Sequence, residues 1–462
     1  MESKQSTVSR RTFLSSAAMA GASGALGAGG LLSSCSGAAN QENKLTPLRS
    51  ASEYYIADLP DRAIDGKPLR AALIGCGARG SGAALNFLDA GNDLAITACA
   101  DILKDRQDNC RKLMKEQKNN EIADDRCFLG FDAFKKVCEL PDIDIIIVAS
   151  PSLFHPEHMK CAIDNGKHVY CEKPAAIDAA GYRTFMLAAK QAEAKGRCIV
   201  TGTVWRRCRR DYIESYKMVQ EGYIGRIVSG NVYWNQGHMN FARRRPEWTD
   251  MEYMLRDFFS WNWLCGDHVI DQMVHVMDVF TWFSHLKPKR IIGMGSRLRR
   301  LTGDIYDNFS ADIEYENGVH VHAMARQIDD CDNRVAEIIQ GTKGSWSSVS
   351  GKPSIHDLDG NVVWQYDDQA ANAQYKKHDS WALAHVELVN HIRKGTIINM
   401  AEQMAISSMT CIMARESAYS GKACTWDEMT QSDLNLMPAE LHLGNVDMSK
   451  YAIPLPGMAP KK

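Results

Sequence analysis

The hydrophobic rhythm of the chain changes about halfway along its 462 residues. Ala71-Ala72-Leu73-Ile74 and residues 94–100, 144–149 and 167–171 are short apolar runs, separated by stretches with helical length and spacing. In Asp144-Ile145-Ile146-Ile147-Val148-Ala149 the apolar residues are continuous, as in a strand covered on both faces. Strand and helix alternate in this way over residues 67–196, which predicts a doubly wound parallel sheet. From residue 197 the pattern shortens. Residues 228–234, 290–296, 310–315, 319–325 and 337–340 read as strands, joined by turns such as Glu316-Asn317-Gly318. They predict an α+β region over 197–430, with a large, mostly antiparallel sheet packed on helices, one of them over 272–283. Helices over 381–393 and 401–419 are expected to pack back toward the first region, and 431–462 reads as a tail. The class is α/β.

Composition adds little to this, but the N-terminus adds a good deal. With 45% apolar residues, 24% charged residues and a net charge of −2, nothing favours nucleic acid or an anionic membrane surface as a partner. No internal apolar run approaches the ~20 residues of a membrane span. Ser9-Arg10-Arg11-Thr12-Phe13-Leu14 resembles a twin-arginine export signal. A weakly apolar Ala/Gly stretch then leads to Leu32-Ser33-Ser34-Cys35, which resembles a lipobox. Residues 1–35 are therefore expected to be a signal, with Cys35 carrying a lipid that is the only membrane contact. Residues 36–66 read as a flexible tether. The expected location is the periplasm or the outer membrane, reached by a route that carries folded proteins. The other cysteines show no C-x-x-C pair and no metal-like spacing, so free thiols and no metal are expected.

The candidate chemistry begins where the first apolar run ends. Gly75-Cys76-Gly77-Ala78-Arg79-Gly80 follows that strand and opens a helix, and the next strand ends in Asp101. In a dinucleotide site the first glycine permits the tight turn, the second lets the backbone approach a pyrophosphate, and the third lets helix pack on strand. The helix N-terminus, here Ala78 and Arg79, supplies N–H groups and a positive dipole. An acid about twenty residues on binds the ribose hydroxyls of NAD and repels a 2′-phosphate. NAD is the predicted cofactor. Ser150, Pro151, Ser152 and His155 follow one strand and Glu172 and Lys173 follow the next, which puts all of them at the cofactor edge of the sheet.

Three separated motifs resemble the glucose–fructose oxidoreductase / inositol dehydrogenase / MocA (Gfo/Idh/MocA) family, over residues 69–429. They are Gly75–Gly80 with Asp101, the run GKHVYCEKP at 166–174, and GDHVIDQMVHVMDVFTW at 266–282. The second resembles the family's G-K-H-V-x-x-E-K-P, and the third its G-x-x-x-x-D-x-x-x-H-x-x-D. The resemblance implies that Lys173, Asp271 and His275 line the site beside the nicotinamide. His155 occupies the family's P-N-x-x-H position, with Ser152 in place of the asparagine. The residues bear this out independently: Asp271 and His275 are four apart in a helical pattern, so both project from one face and the carboxylate can orient the imidazole. The alternative is a surface ion pair on a helix. His268 precedes Asp271 by about a turn and either reaches substrate or belongs to a helix cap. Trp205, Arg206 and Arg207, Trp234, and Tyr306 combine flat rings with polar donors, as sugar-binding surfaces do, or else they are core.

The resemblance implies hydride transfer between a sugar or glycoside ring carbon and a retained NAD(H), with a homo-oligomer as the expected assembly. Two alternatives stand beside it. One is a redox-neutral NAD-dependent glycosidase working through transient oxidation, elimination and hydration. The other is a catalytically silent, NAD-containing sugar-binding lipoprotein.

Overall fold

Strands β1 (Leu69–Ile74), β2 (Leu94–Asp101), β3 (Cys127–Leu129), β4 (Ile145–Val148), β5 (His168–Cys171) and β6 (Ile199–Thr201) form one sheet in the computed structural model. The structure describes residues 45–205, 208–239, 241–349 and 351–457. The expected export signal with Cys35, and Arg206 and Arg207, lie outside the described residues. Helices α1 (Ala78–Leu88), α2 (Lys104–Lys118), α3 (Ala133–Glu139), α4 (His155–Asp164) and α5 (Ala179–Ala194) connect the strands. Every pairing is parallel, in the order β3-β2-β1-β4-β5-β6. All four residues of β4 are buried, as its unbroken apolar run requires. The strand order reverses between β1 and β4, so a crevice opens at their carboxyl ends. The sheet extends beyond the expected boundary at 196. β6 has only three residues, too few to show a period, and it pairs with β5.

The second region holds a nine-stranded sheet in the order β14-β13-β12-β11-β7-β10-β9-β8-β15. Its strands are β7 (Ile227–Gln236), β8 (Pro288–Ser296), β9 (Asn308–Tyr315), β10 (His320–Gln327), β11 (Arg334–Gly341), β12 (Gly344–Ser347), β13 (Ser354–Asp357), β14 (Val362–Gln365) and β15 (Cys424–Thr425). β7 and β10 pair in parallel and all the other neighbours are antiparallel. Helices α6 (Arg210–Gln220), α7 (Asp250–Arg256), α8 (His268–Asp271), α9 (Val274–Ser284), α10 (Ser380–Lys394) and α11 (Ala401–Ser420) are among those of this region. α9 lies directly on β7: a Cβ on Gly230 would come within 2.6 Å of the Phe280 ring. The opposite face leaves Ile292, Met294 and Met324 exposed. α10 returns to the first sheet, where His385 stacks on Tyr170 at 4.1 Å.

Three expectations need correction. The helix expected over 272–283 is present as α9 from Val274, but Asp271, expected on the same helical face as His275, belongs to a separate short helix, α8. The Met273 N–H reaches five residues back to the His268 carbonyl (3.3 Å), which opens the helix by one residue at Gln272. The segment expected as a tether is packed from its first described residues. Ala57, Leu59 and Ala63 are buried, and Arg210 Nη2 donates to the Leu59 carbonyl at 2.6 Å. A few small apolar residues suffice there because side chains of the body satisfy the backbone. The expected tail is also bound: Leu434 O accepts from Ala180 N (3.1 Å), and Gly444 O accepts from Met251 N (3.0 Å).

Candidate active site

The crevice holds a cavity of about 1050 Å³ that runs from Asp101 to His275 and is lined by both regions. At its floor, each glycine of the turn has a distinct task. Gly75 has φ +93°, and a Cβ there would stand 2.5 Å from the Ala149 carbonyl oxygen. A Cβ on Gly80 would come 1.8 Å from the Gly75 oxygen, so α1 and the turn touch through backbone alone. Gly77 faces open space with nothing within 4 Å of a built Cβ, which is the room a pyrophosphate needs. Gly77 caps α1 without a side chain, leaving the first N–H groups of that helix for an anion. Asp101 accepts from the N–H of Cys76 (2.6 Å) and of Leu103 (2.7 Å), one per oxygen. These bonds fix the carboxylate while a second lone pair on each oxygen stays available for ribose hydroxyls. Burial raises its pKa, against the pull of those two donors. Arg79 reaches across to Glu172 at 3.1 Å and lies 5.7 Å over the ring of Trp381, which α10 brings to the groove. The residues present fit NAD.

Strand β4 delivers Ser150, Pro151 and Ser152, which line the same cavity with His155. His155 is buried, with Nδ1 2.8 Å from the Pro174 carbonyl and Nε2 2.8 Å from the Ser150 carbonyl. It ties the ends of β4 and β5 together. Burial lowers its pKa although both carbonyls favour the cation.

At the far end, strand β5 presents Lys173 and helix α8 presents Asp271. Lys173 Nζ donates to the Asp271 carbonyl and lies 3.3 Å from Asp271 Oδ1. The pair is enclosed, with side chains 14% and 5% exposed, so it is no surface ion pair. Gln272, at the helix break, donates from Nε2 to Asp271 Oδ2 and lines the cavity. His275 completes this end. The expected Asp271–His275 partnership does not form. The break at Gln272 takes the two residues off a common helical face, and the Asp271 carboxylate is taken by Lys173 and Gln272. His275 is held by aromatic stacking instead, with Trp234 at 5.3 Å and Trp205 at 5.6 Å. Its Nδ1 is buried without a hydrogen-bond partner among the described residues. Burial, and secondarily the charge of Lys173, hold its pKa well below 6.5.

Other sequence-predicted positions stand apart from the cavity. Gly80 packs beneath the turn. Trp205 and Trp234 stack on each other at 5.4 Å and back His275, so they support the site without lining it. His268 is buried against Phe309, and its Nδ1 bonds Asp267 Oδ1 at 3.0 Å. Tyr306 donates to the Pro454 carbonyl at 2.7 Å and packs on Tyr419. Both belong to the core around Asp267, whose Oδ2 accepts from the Tyr306 N–H (2.9 Å) and whose Oδ1 accepts from the His268 N–H (2.5 Å). Sequence reasoning missed Gln272, Trp381 and Arg106 as lining residues. Gln272 adjoins a residue already singled out, but its role depends on the helix break.

Two family models match the chain: the oxidoreductase family with NAD-binding Rossmann fold over residues 69–201, and the GFO/IDH/MocA C-terminal domain over 212–347. Together they cover more than half of it. Among curated proteins, the chain is 24% identical over 296 residues to glycosyl hydrolase family 109 protein 4 of Phocaeicola vulgatus, covering 61% of this chain and 53% of that protein. It is 26% identical over 214 residues to glycosyl hydrolase family 109 protein 1 of Bacteroides thetaiotaomicron, covering 43% of each. The chain thus spans about half the length of these relatives. Among solved structures it is similar to myo-inositol 2-dehydrogenase from Lactobacillus plantarum, with TM-score 0.58, 20% identity, and coverage of 78% of this chain and 99% of that one. It is similar also to levoglucosan dehydrogenase in complex with NADH and L-sorbose, with TM-score 0.61, 16% identity and coverage of 78% and 99%. These likenesses carry the fold, and the model matches carry the lineage and the cofactor. The chain belongs to the Gfo/Idh/MocA oxidoreductase family, with NAD as its cofactor.

Proposed function

We propose that the protein is an exported NAD-dependent oxidoreductase that transfers hydride between a sugar or glycoside ring carbon and a retained NAD(H). One observation carries this reading: Lys173, Asp271 and His275 converge on the end of the nucleotide groove farthest from Asp101. NAD, when bound, accepts or returns the hydride. The residues of the chain handle the proton and the orientation. Asp271 takes two of the three Lys173 donors through its carbonyl and Oδ1, which leaves one N–H for a substrate hydroxyl. Gln272 holds the other carboxylate oxygen, so the lysine is steered from both sides. His275 is a neutral imidazole at pH 7, free to accept the hydroxyl proton as the hydride departs. The Trp205–Trp234 stack fixes the plane of that ring.

A lipid on Cys35 would tether the protein in the periplasm or to the outer membrane. Assembly into a homo-oligomer through the open face of the nine-stranded sheet is supported by the exposed Ile292, Met294 and Met324 there. The relatives named glycosyl hydrolase family 109 favour a second reading, a redox-neutral glycosidase in which the same residues move the proton and the hydride returns. Mass analysis of products from a panel of glycosides tests both. A keto-sugar establishes net oxidation and a released aglycone without oxidation establishes the second reading. If neither product forms, the silent sugar-binding reading is left standing.

A further inference from the structure

The adenosine half of the groove has two walls. One is the end of β2 and the start of α2, with Asp101, Leu103 and Arg106. The other comes from the second region, where Leu255, Phe258 and Phe259 line the same cavity. Apolar and aromatic side chains suit the faces of a purine. These three residues belong to the segment 241–260, and two arginines join that segment to the first region. Arg256 meets Asp105 of α2 with both outer nitrogens, Nη1 to Oδ2 and Nη2 to Oδ1, each at 2.9 Å. Its Nε meets Glu252 at 2.9 Å, and its guanidinium lies 4.8 Å over the ring of Trp248. Beside this pair Arg106 donates to the Arg256 carbonyl at 3.3 Å. The segment is anchored on its own side too, since Asp304 N donates to the Ser260 carbonyl (3.1 Å) and Val446 N to Asp250 Oδ2 (3.1 Å).

We propose that the segment 241–260 is the second wall of the NAD site and that the Arg256–Asp105 pair latches it shut. Exposed ion pairs are worth little in general, and Asp105 is 56% exposed. This pair differs in being bidentate, in sharing its arginine with Glu252, and in having that arginine shielded by Trp248. A latch of this kind acts on release more than on capture, because leaving requires the wall to part. It explains retention without a covalent link. The inference rests on the groove being an NAD site and on the proposed retention, and on no particular sugar.

The test is the release of bound NADH from the purified full chain, followed by fluorescence after dilution into excess NAD⁺. Asp105→Asn is expected to release about fivefold to tenfold faster, and Asp105→Glu to stay near the wild type. Added salt should speed release from the wild type more than from Asp105→Asn, a difference that a purely structural role would not produce. Arg256→Gln should match Asp105→Asn; if it fails to fold, the exposed Asp105 variants decide. Release within about twofold of wild type in Asp105→Asn overturns the latch. Formation of keto-sugar by that same variant would then leave the proposed reaction intact. Wild-type protein that loses its NAD on desalting overturns both latch and retention.

Discussion

The two ends of the groove are built by opposite means. At the pyrophosphate end the shape is backbone: Gly75 and Gly80 permit contacts that any Cβ would block, and Gly77 keeps a space clear. At the Lys173 end the shape is side chains, drawn from β5 and α8 and held by Gln272, Trp205 and Trp234. The first is fixed within six consecutive residues. The second exists only once two regions have packed, and it depends on a helix break that shifts Asp271 relative to His275. A backbone-built site tolerates no added atom, while a side-chain-built site tolerates substitution in shape but not in chemistry.

The largest expected effect breaks the backbone end. Gly80→Val puts side-chain atoms against the Gly75 oxygen, and the nucleotide region should lose its folded state or its NAD. Gly77→Ala is the contrasting change. Nothing obstructs its Cβ, so the melting temperature should hold while NAD affinity falls, as calorimetry of the two variants would show. Equal destabilisation by both would end the distinction between these glycines.

Next come changes at the side-chain end, read by single-turnover reduction of bound NAD⁺. Lys173→Met should leave NAD bound and abolish hydride exchange. His275→Ala should slow it by about 10²–10⁴-fold. Because the pKa of His275 lies well below 6.5, its neutral form persists through the neutral range. Its contribution to the wild-type rate should therefore be flat from pH 8 down to about 6.5 and fall only in more acid solution. A midpoint near 7 assigned to this group would show that the imidazole is not desolvated as described. Wild-type rates in both variants would reduce this end of the groove to architecture.

Asp101→Ala sharpens the comparison from the cofactor side. It removes the carboxylate held by Cys76 and Leu103, so the preference for NAD over NADP should fall by roughly tenfold or more in titrations. The smallest effect lies away from the groove. Glu337 of β11 is fully buried, accepts from Tyr212 Oη at 3.1 Å and from Ser348, and burial pushes its pKa from 4.5 to about 7. The folded state therefore holds a proton that the unfolded chain releases above pH 4.5, and stability should decline as pH rises from about 4.5 to 7. Glu337→Gln should flatten that slope and stabilise the protein above pH 7 by about 1–3 kcal/mol, measured by denaturant unfolding.

The backbone end could be read from sequence because its constraint is local. Glycine spacing, a strand before, a helix after and an acid at the next strand's end are all visible in 69–101. The Lys173 end was legible as a set of residues but not as an arrangement. A period of 3.6 predicted an unbroken helix and a carboxylate–imidazole pair, whereas one residue's slack at Gln272 hands the carboxylate to lysine. Aromatic residues at 205, 234 and 306 carry no signal that separates backing a histidine from filling a core. Strands β12–β14 have four residues each, too short for alternation to register. The supposed tether and tail misled because their order comes from partners elsewhere in the chain, such as Arg210 and Ala180.

The hydrogen bonds of the last thirty residues bear on the order in which this protein can be made. A chain emerging from the ribosome completes the nucleotide sheet at Thr201, long before Gly444 and Val446 arrive to fix helix α7. During that interval the glycine turn is formed and its far wall is not yet fastened. A nucleotide that arrives in that interval would meet one wall of its site, and a nucleotide that arrives later would meet both.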